Sequence, residues 1–200
     1  MSVPVHSKRF TPLIAMLATL TLASVPALAK DALIDMDNAR SGGFGGPVVK
    51  YGDINGDSAA MIGGEGAGTF TSGDHSLLIG GAGFGLVNEL DWDTDQKLEM
   101  GYGGLMLGYT HKPDSVVHVE SKLLLGAGGV SIIDTAGTDD DSGSFMVTEL
   151  TISGEVNVTD FLEIGLGGAY RLTSEPGIDG LSASDISGAS IVVSFQFGQI

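Results

Sequence analysis

From residue 43 onward, apolar positions recur with a period of two, in runs separated by clusters of Asp, Ser, Pro and Gly. The clearest run is FLEIGLGGAYRLT. Leu162, Ile164, Leu166, Tyr170 and Leu172 share one face, and Glu163, Gly165, Gly167, Ala169 and Arg171 the other. In the preceding run Met146, Leu150, Ile152, Val156 and Val158 lie opposite Glu149, Thr151, Ser153, Glu155 and Asn157. The last run sets Ala189, Ile191, Val193, Phe195 and Phe197 against Ser190, Ser194 and Gln196, with Val192 interrupting the polar side. Eight such runs are read, over 44–53, 58–71, 76–89, 97–111, 116–133, 144–158, 161–173 and 186–198. Helical periodicity is almost absent, so the pattern predicts an all-β chain.

The connections add directionality. SGDH, KPDS and TD are tight turns after the second, fourth and sixth runs, whereas DWDTDQ, TAGTDDDSG and SEPGIDGLSASD are longer and acidic. In an up-and-down meander alternate connections lie at opposite ends, so one end is short-turned and the other carries the acidic loops. Asn55-Gly56 is a hairpin signal on the long-loop end. Short turns opposing longer loops are the pattern of outer-membrane barrels. The expectation is an eight-stranded antiparallel up-and-down β-barrel of outer-membrane type.

Thirty-two glycines, many of them inside the runs, fit this reading. A narrow barrel curves strongly and has little interior volume. Glycine permits the bend and leaves room beside large interior groups. Those groups are Lys50, Glu65, His118, Glu120, Lys122, Glu149, Glu155, Glu163 and Arg171, expected to face inward and to form a paired polar network, since an unpaired buried charge is costly.

The first 29 residues read as a signal peptide: His6, Lys8 and Arg9, then PLIAMLATLTLASVPALA with a small-x-small end at Ala27-Leu28-Ala29. Residues 30–42 follow as an irregular leader, and 43–200 as the barrel domain. Loss of Lys8 and Arg9 takes the formal charge from −16 to −18, seven basic groups against 25 acidic. That balance argues against nucleic acid and against charge-driven binding to an anionic surface. Without cysteine there are no disulfides or thiolate metal sites.

Beyond the pattern, several stretches resemble a known family. SGGFGGPVVKYGDINGDSAAMIGGEGAG, LLIGGAGFGLVNEL, MGYGGLMLGY, LLLGAGGVSI, LEIGLGGAYRL and GLSASDISGASIVVSFQFG are similar, in order, to a family of small exported β-barrel proteins of Gram-negative bacteria. The resemblance implies fold, export and outer-membrane location, and no particular activity. It implies outer-membrane lipid as environment and the barrel assembly machinery as a partner in biogenesis. For the latter the aromatic pair Phe195-x-Phe197 lies near the C-terminus, although the chain ends in Ile200.

Candidate chemistry is sparse. His75 falls in a short turn, His111 at a strand end and His118 on the charged face, without a G-x-S-x-G elbow or a definable Ser-His-Asp set. Asp91, Asp93 and Asp95 begin like a calcium loop, but Gln96 and Tyr102 stand where its glycine and glutamate belong. GEGAGTF lacks the lysine and helix of a phosphate loop. The reading is therefore no catalytic residue, no cofactor and no dedicated metal site, with weakly held divalent cations at the acidic loops. Three roles fit: a structural or surface-interacting outer-membrane barrel; a soluble periplasmic barrel binding a lipophilic ligand; and a lipid-modifying outer-membrane enzyme.

Overall fold

The computed structural model of the protein describes residues 39–93, 96–134 and 139–199. The segments expected to be a signal peptide and a leader, up to residue 38, lie outside the described residues. The strands are β1 (Arg40–Ile54), β2 (Asp57–Ser72), β3 (His75–Leu86), β4 (Leu90–Asp93), β5 (Gln96–His111), β6 (Val117–Asp134), β7 (Asp139–Thr159), β8 (Leu162–Thr173) and β9 (Gly188–Gln199), with a short helix α1 (Ala183–Ile186) before β9. Every neighbouring pair is antiparallel. β1 pairs with both β2 and β9, and β3 pairs with β5, so eight long strands close into a ring. No sheet edge among them is left open, and this satisfies the backbone of a structure facing hydrocarbon. Among the described residues no helix is long and apolar enough to cross a membrane.

Three boundaries differ from the sequence reading, each because pairing continues into polar residues. Arg40–Gly42, read as leader, pair with Thr69–Thr71 of β2. Leu90–Asp93, read as part of a loop, form β4 against β5. β7 begins at Asp139, inside the acidic connection, where the long β6 still offers a partner strand. The Asn55-Gly56 turn forms with φ of 54° and 84°, the positive pair that a two-residue hairpin of this hand requires.

Arg40 at the start of β1 and Gln199 at the end of β9 lie at the short-turn end, with the turns at 73–74, 112–116 and 160–161. The wall is inverted relative to a water-soluble protein. Outward residues include Leu105 at 77%, Leu166 at 65% and Ile152 at 54% exposure, while Glu120, Glu155 and Gln196 inside are at 0%. Outward aromatics gather near the two rims. Tyr51 and Tyr170 lie toward the long loops, and Tyr109, Phe161 and Phe197 toward the short turns, as in aromatic girdles.

The glycines divide by face. At inward Gly46, Gly63, Gly126 and Gly167 an added Cβ would fall against a neighbouring strand's carbonyl, of Phe195, Gly83, Gly103 and Ile152 respectively. At inward Gly165 it would meet the Glu155 carboxylate and the Ser194 hydroxyl, so this glycine makes the room Glu155 occupies. Outward glycines are less crowded, Gly103 excepted, where a Cβ would meet the Ala82 carbonyl at 2.8 Å. A Cβ on Gly64 or Gly83 would meet its nearest atom at 3.5 or 3.7 Å, and on Gly85 or Gly154 nothing within 4 Å. Curvature accounts for the first set; at Gly64, Gly83, Gly85 and Gly154 nothing in the packing requires glycine.

Candidate functional site: the barrel lumen

Strand alternation places all nine candidate residues inside the barrel, each with its side chain almost wholly buried. They form separate groups rather than one network. Nearest the long loops, Lys50 pairs with Glu149, and the Tyr102 hydroxyl donates to the other oxygen of Glu149 at 2.6 Å. The Lys50 ammonium also sits 3.3 Å from the centroid of Phe84, a cation–π contact. Arg171 joins this group without touching a carboxylate. Its Nε donates to the Ile186 carbonyl at 2.8 Å and its Nη1 reaches the Tyr102 oxygen at 3.5 Å and the Met61 sulfur at 3.3 Å.

In the middle, Lys122 bridges Glu65 at 2.6 Å and Glu120 at 2.9 Å. Gln196 Nε2 and Thr110 Oγ1 complete the shell of Glu120, at 3.0 and 3.1 Å. Glu155 stands apart. It accepts a bond from Ser153 at 2.6 Å, and its second oxygen has no hydrogen-bond partner. Toward the short turns, His118 faces Glu163 at 3.6 Å. Sequence reasoning missed Tyr102, Thr110, Ser153 and Gln196 as partners; their inward parity was the available signal.

The lumen is closed twice. Between the Lys50 and Lys122 groups a cavity of about 20 Å³ remains, the scale of one water molecule and too small for a solute. At the long-loop end the connection 174–187 folds inward. Ile178, Leu181 and Ile186 are buried and join the apolar core with Ile54, Leu90, Leu98 and Ile132. The fold of this connection is pinned by hydrogen bonds. Ser182 donates from its backbone N and its hydroxyl to Asp185, at 2.8 and 2.7 Å, and Asn55 N donates to the Asp185 carbonyl at 2.6 Å. The two Ser182 donors, the hydroxyl foremost, hold the half-buried Asp185 carboxyl below its usual range. The Arg171 bond to Ile186 ties this plug to the charged groups beneath it.

The histidines of the described residues lie in two places. His75 and His111 lie near one another at the short-turn rim, with His75 Nδ1 2.6 Å from the Tyr109 hydroxyl, and His118 is inside. Among the described residues no cluster of His, Asp and Glu is arranged to hold a metal. Of the calcium-loop candidates, Asp95 lies outside the described residues, and Asp91 and Asp93 belong to β4.

A closed ring of eight antiparallel strands with this loop asymmetry is the architecture of small outer-membrane barrels of Gram-negative bacteria. Ail, the attachment invasion locus protein of Yersinia pestis, is similar over 79% of this chain and 97% of its own, with a TM-score of 0.53 and 11% identity. Ail in complex with the heparin analogue sucrose octasulfate matches with a TM-score of 0.52 over 80% of this chain and 98% of its own, at 11% identity. Neisserial surface protein A matches with a TM-score of 0.51 over 80% and 97% of the two chains, at 10% identity. No family model and no curated protein sequence matches the chain. The likeness is one of fold.

Proposed function

We propose that this protein resides in the outer membrane as a closed, non-enzymatic barrel with a structural or surface-interaction role. The inversion of polarity carries the reading: the wall presents Leu105, Ile152 and Leu166 outward and seals Glu120 and Glu155 inside. A soluble carrier of lipophilic ligands would need the opposite arrangement, with an apolar cavity at its centre. The charged groups and the apolar plug leave no wide channel.

The exposed end bears the acidic connections, which favours cations over anions. The polyanion held by Ail in its complex is therefore a poor guide to partners here. The connections at 91–96, 134–143 and 174–185 contain no Lys or Arg and raise the local concentration of divalent cations without a shaped site. Calorimetry of the refolded barrel is expected to show weak Ca²⁺ or Mg²⁺ association that fades with added salt. No heat at low salt reduces the aspartates to solvating groups, and tight stoichiometric binding reveals a true site.

Fractionation of cells making the native chain tests location. The mature protein is expected in the detergent-extracted outer membrane. Recovery as a soluble periplasmic species rejects the proposal.

A further inference from the structure

Glu155 is the one lumen carboxylate without a basic partner among the described residues. The lumen cations are committed elsewhere: Lys50 to Glu149, Lys122 to Glu65 and Glu120, His118 to Glu163, and Arg171 to the Ile186 carbonyl. Yet Glu155 is fully buried; its Oε1 accepts one bond, from the Ser153 hydroxyl at 2.6 Å, and its Oε2 none. The pairing register surrounds it with His118 on β6, Gly165 on β8 and, beyond that, Ser194 on β9. Glu120, opposite Ser153, stands on the diagonal. The charged groups facing Glu155 are Glu120, Lys122 and His118 from β6, Glu163 from β8 and Glu65 from β2. Were Glu155 ionised, four carboxylates would share two cations. Burial with a single hydrogen bond and no ion partner disfavours that charge.

A second fully buried acceptor in the same region lacks a donor. Gln196 donates from Nε2 to Glu120 Oε1 at 3.0 Å, and this bond fixes the amide, because turning it would set two acceptors together. Gln196 Oε1 is left with no partner. Since Glu120 lies diagonal to Glu155, the amide that reaches Glu120 comes to the side of Glu155. Glu155 Oε2 leans over Gly165 toward β9, where a Cβ on that glycine would meet both this oxygen and the Ser194 hydroxyl. Two enclosed acceptors can be satisfied together only through a hydrogen, and leaving both unmet is unfavourable.

We infer that Glu155 is a neutral carboxylic acid whose proton, on Oε2, is donated to Gln196 Oε1. One proton meets both unpartnered oxygens and removes the excess charge. It also completes a line of hydrogen bonds across the lumen, from Ser153 through Glu155, Gln196 and Glu120 to Lys122 and Glu65. The arrangement is a proton-operated lock: loss of the proton unties Gln196 and adds a fourth carboxylate to a region with two cations.

Infrared spectroscopy of the refolded full-length mature barrel in detergent tests this, because only a protonated carboxyl gives the C=O stretch of an acid. At neutral pH the parent is expected to show that band and Glu155→Gln to lack it, and alkaline titration of the parent should remove it. Gln196→Met keeps Glu155 but takes away its acceptor, and should move the band to higher frequency. That shift assigns the band even if Glu155→Gln does not fold. Stability against pH has opposite signs for the two protonation states. A glutamate in the unfolded chain ionises near pH ~4.3, so above that value a folded Glu155 that keeps its proton makes the native state bind more protons than the unfolded one. The urea midpoint of the parent should therefore fall relative to that of Glu155→Gln as pH rises from there, and level off once Glu155 ionises in the folded state. A parent without the acid band at neutral pH, or a band that survives in Glu155→Gln, overturns the inference. So does a parent midpoint that rises relative to Glu155→Gln over the same range, since Glu155 is then a stabilised anion. A band that Gln196→Met leaves unshifted overturns the bond to Gln196.

Discussion

Gly46→Ala is expected to lower the stability of the refolded barrel by about 3 kcal/mol or more, on the scale of severe overpacking against a rigid neighbour. Gly85→Ala is expected to change it by no more than about 0.5 kcal/mol, the range of ordinary surface substitutions. Gly46 lies on the inward face of β1, where the strand crosses β9 so closely that a Cβ would fall on the Phe195 carbonyl. That atom belongs to the backbone of a paired strand, so relief requires shifting the β1–β9 ladder that closes the ring. Gly85 lies on the outward face of β3, where a Cβ meets nothing within 4 Å. Urea unfolding in one detergent separates the two. Equal tolerance at both positions shows that interior crowding does not set the glycine content.

Arg171→Leu is the second large effect, about 3 kcal/mol or more, the usual scale for breaking a buried ionic arrangement from one side. Arg171 is 2% exposed and contributes to two layers. It places a positive charge beside the Tyr102–Glu149 group and gives the Ile186 carbonyl its donor at 2.8 Å. Leucine removes the charge and leaves that carbonyl unmet beneath the plug. The loss should therefore carry a local signature, with faster amide hydrogen exchange across 183–187 than in the parent. Arg171→Lys keeps the charge without the guanidinium geometry and should fall between the two. A leucine variant as stable as the parent would place Arg171 in water.

The wall was largely legible in the sequence because alternation survives an inversion of polarity. The period of two in Leu162–Leu172 reports which residues share a face, whether that face meets lipid or a core. What meets what inside was not legible. Lys50 on β1 reaches Glu149 on β7, and Lys122 on β6 reaches Glu65 on β2, contacts across the lumen that depend on the stagger of the closed ring. Tyr102 sits in MGYGGLMLGY, where glycines hide the parity that turns it inward with Met100 and Met106. The plug was missed because GIDGLSASDI reads as a polar loop. Only the isolated Ile178, Leu181 and Ile186 signalled that it buries apolar surface.

The central claim is that the apolar face of the wall meets lipid and the charged face does not. The chain has no native cysteine, so single cysteines report on it directly. Nitroxide labels at Leu105, Ile152 and Leu166, in barrel reconstituted into bilayers, are expected to collide freely with dissolved oxygen and hardly with a water-soluble nickel complex. Strong, uniform quenching of all three by the nickel complex would contradict the account, because the apolar face would then stand in water.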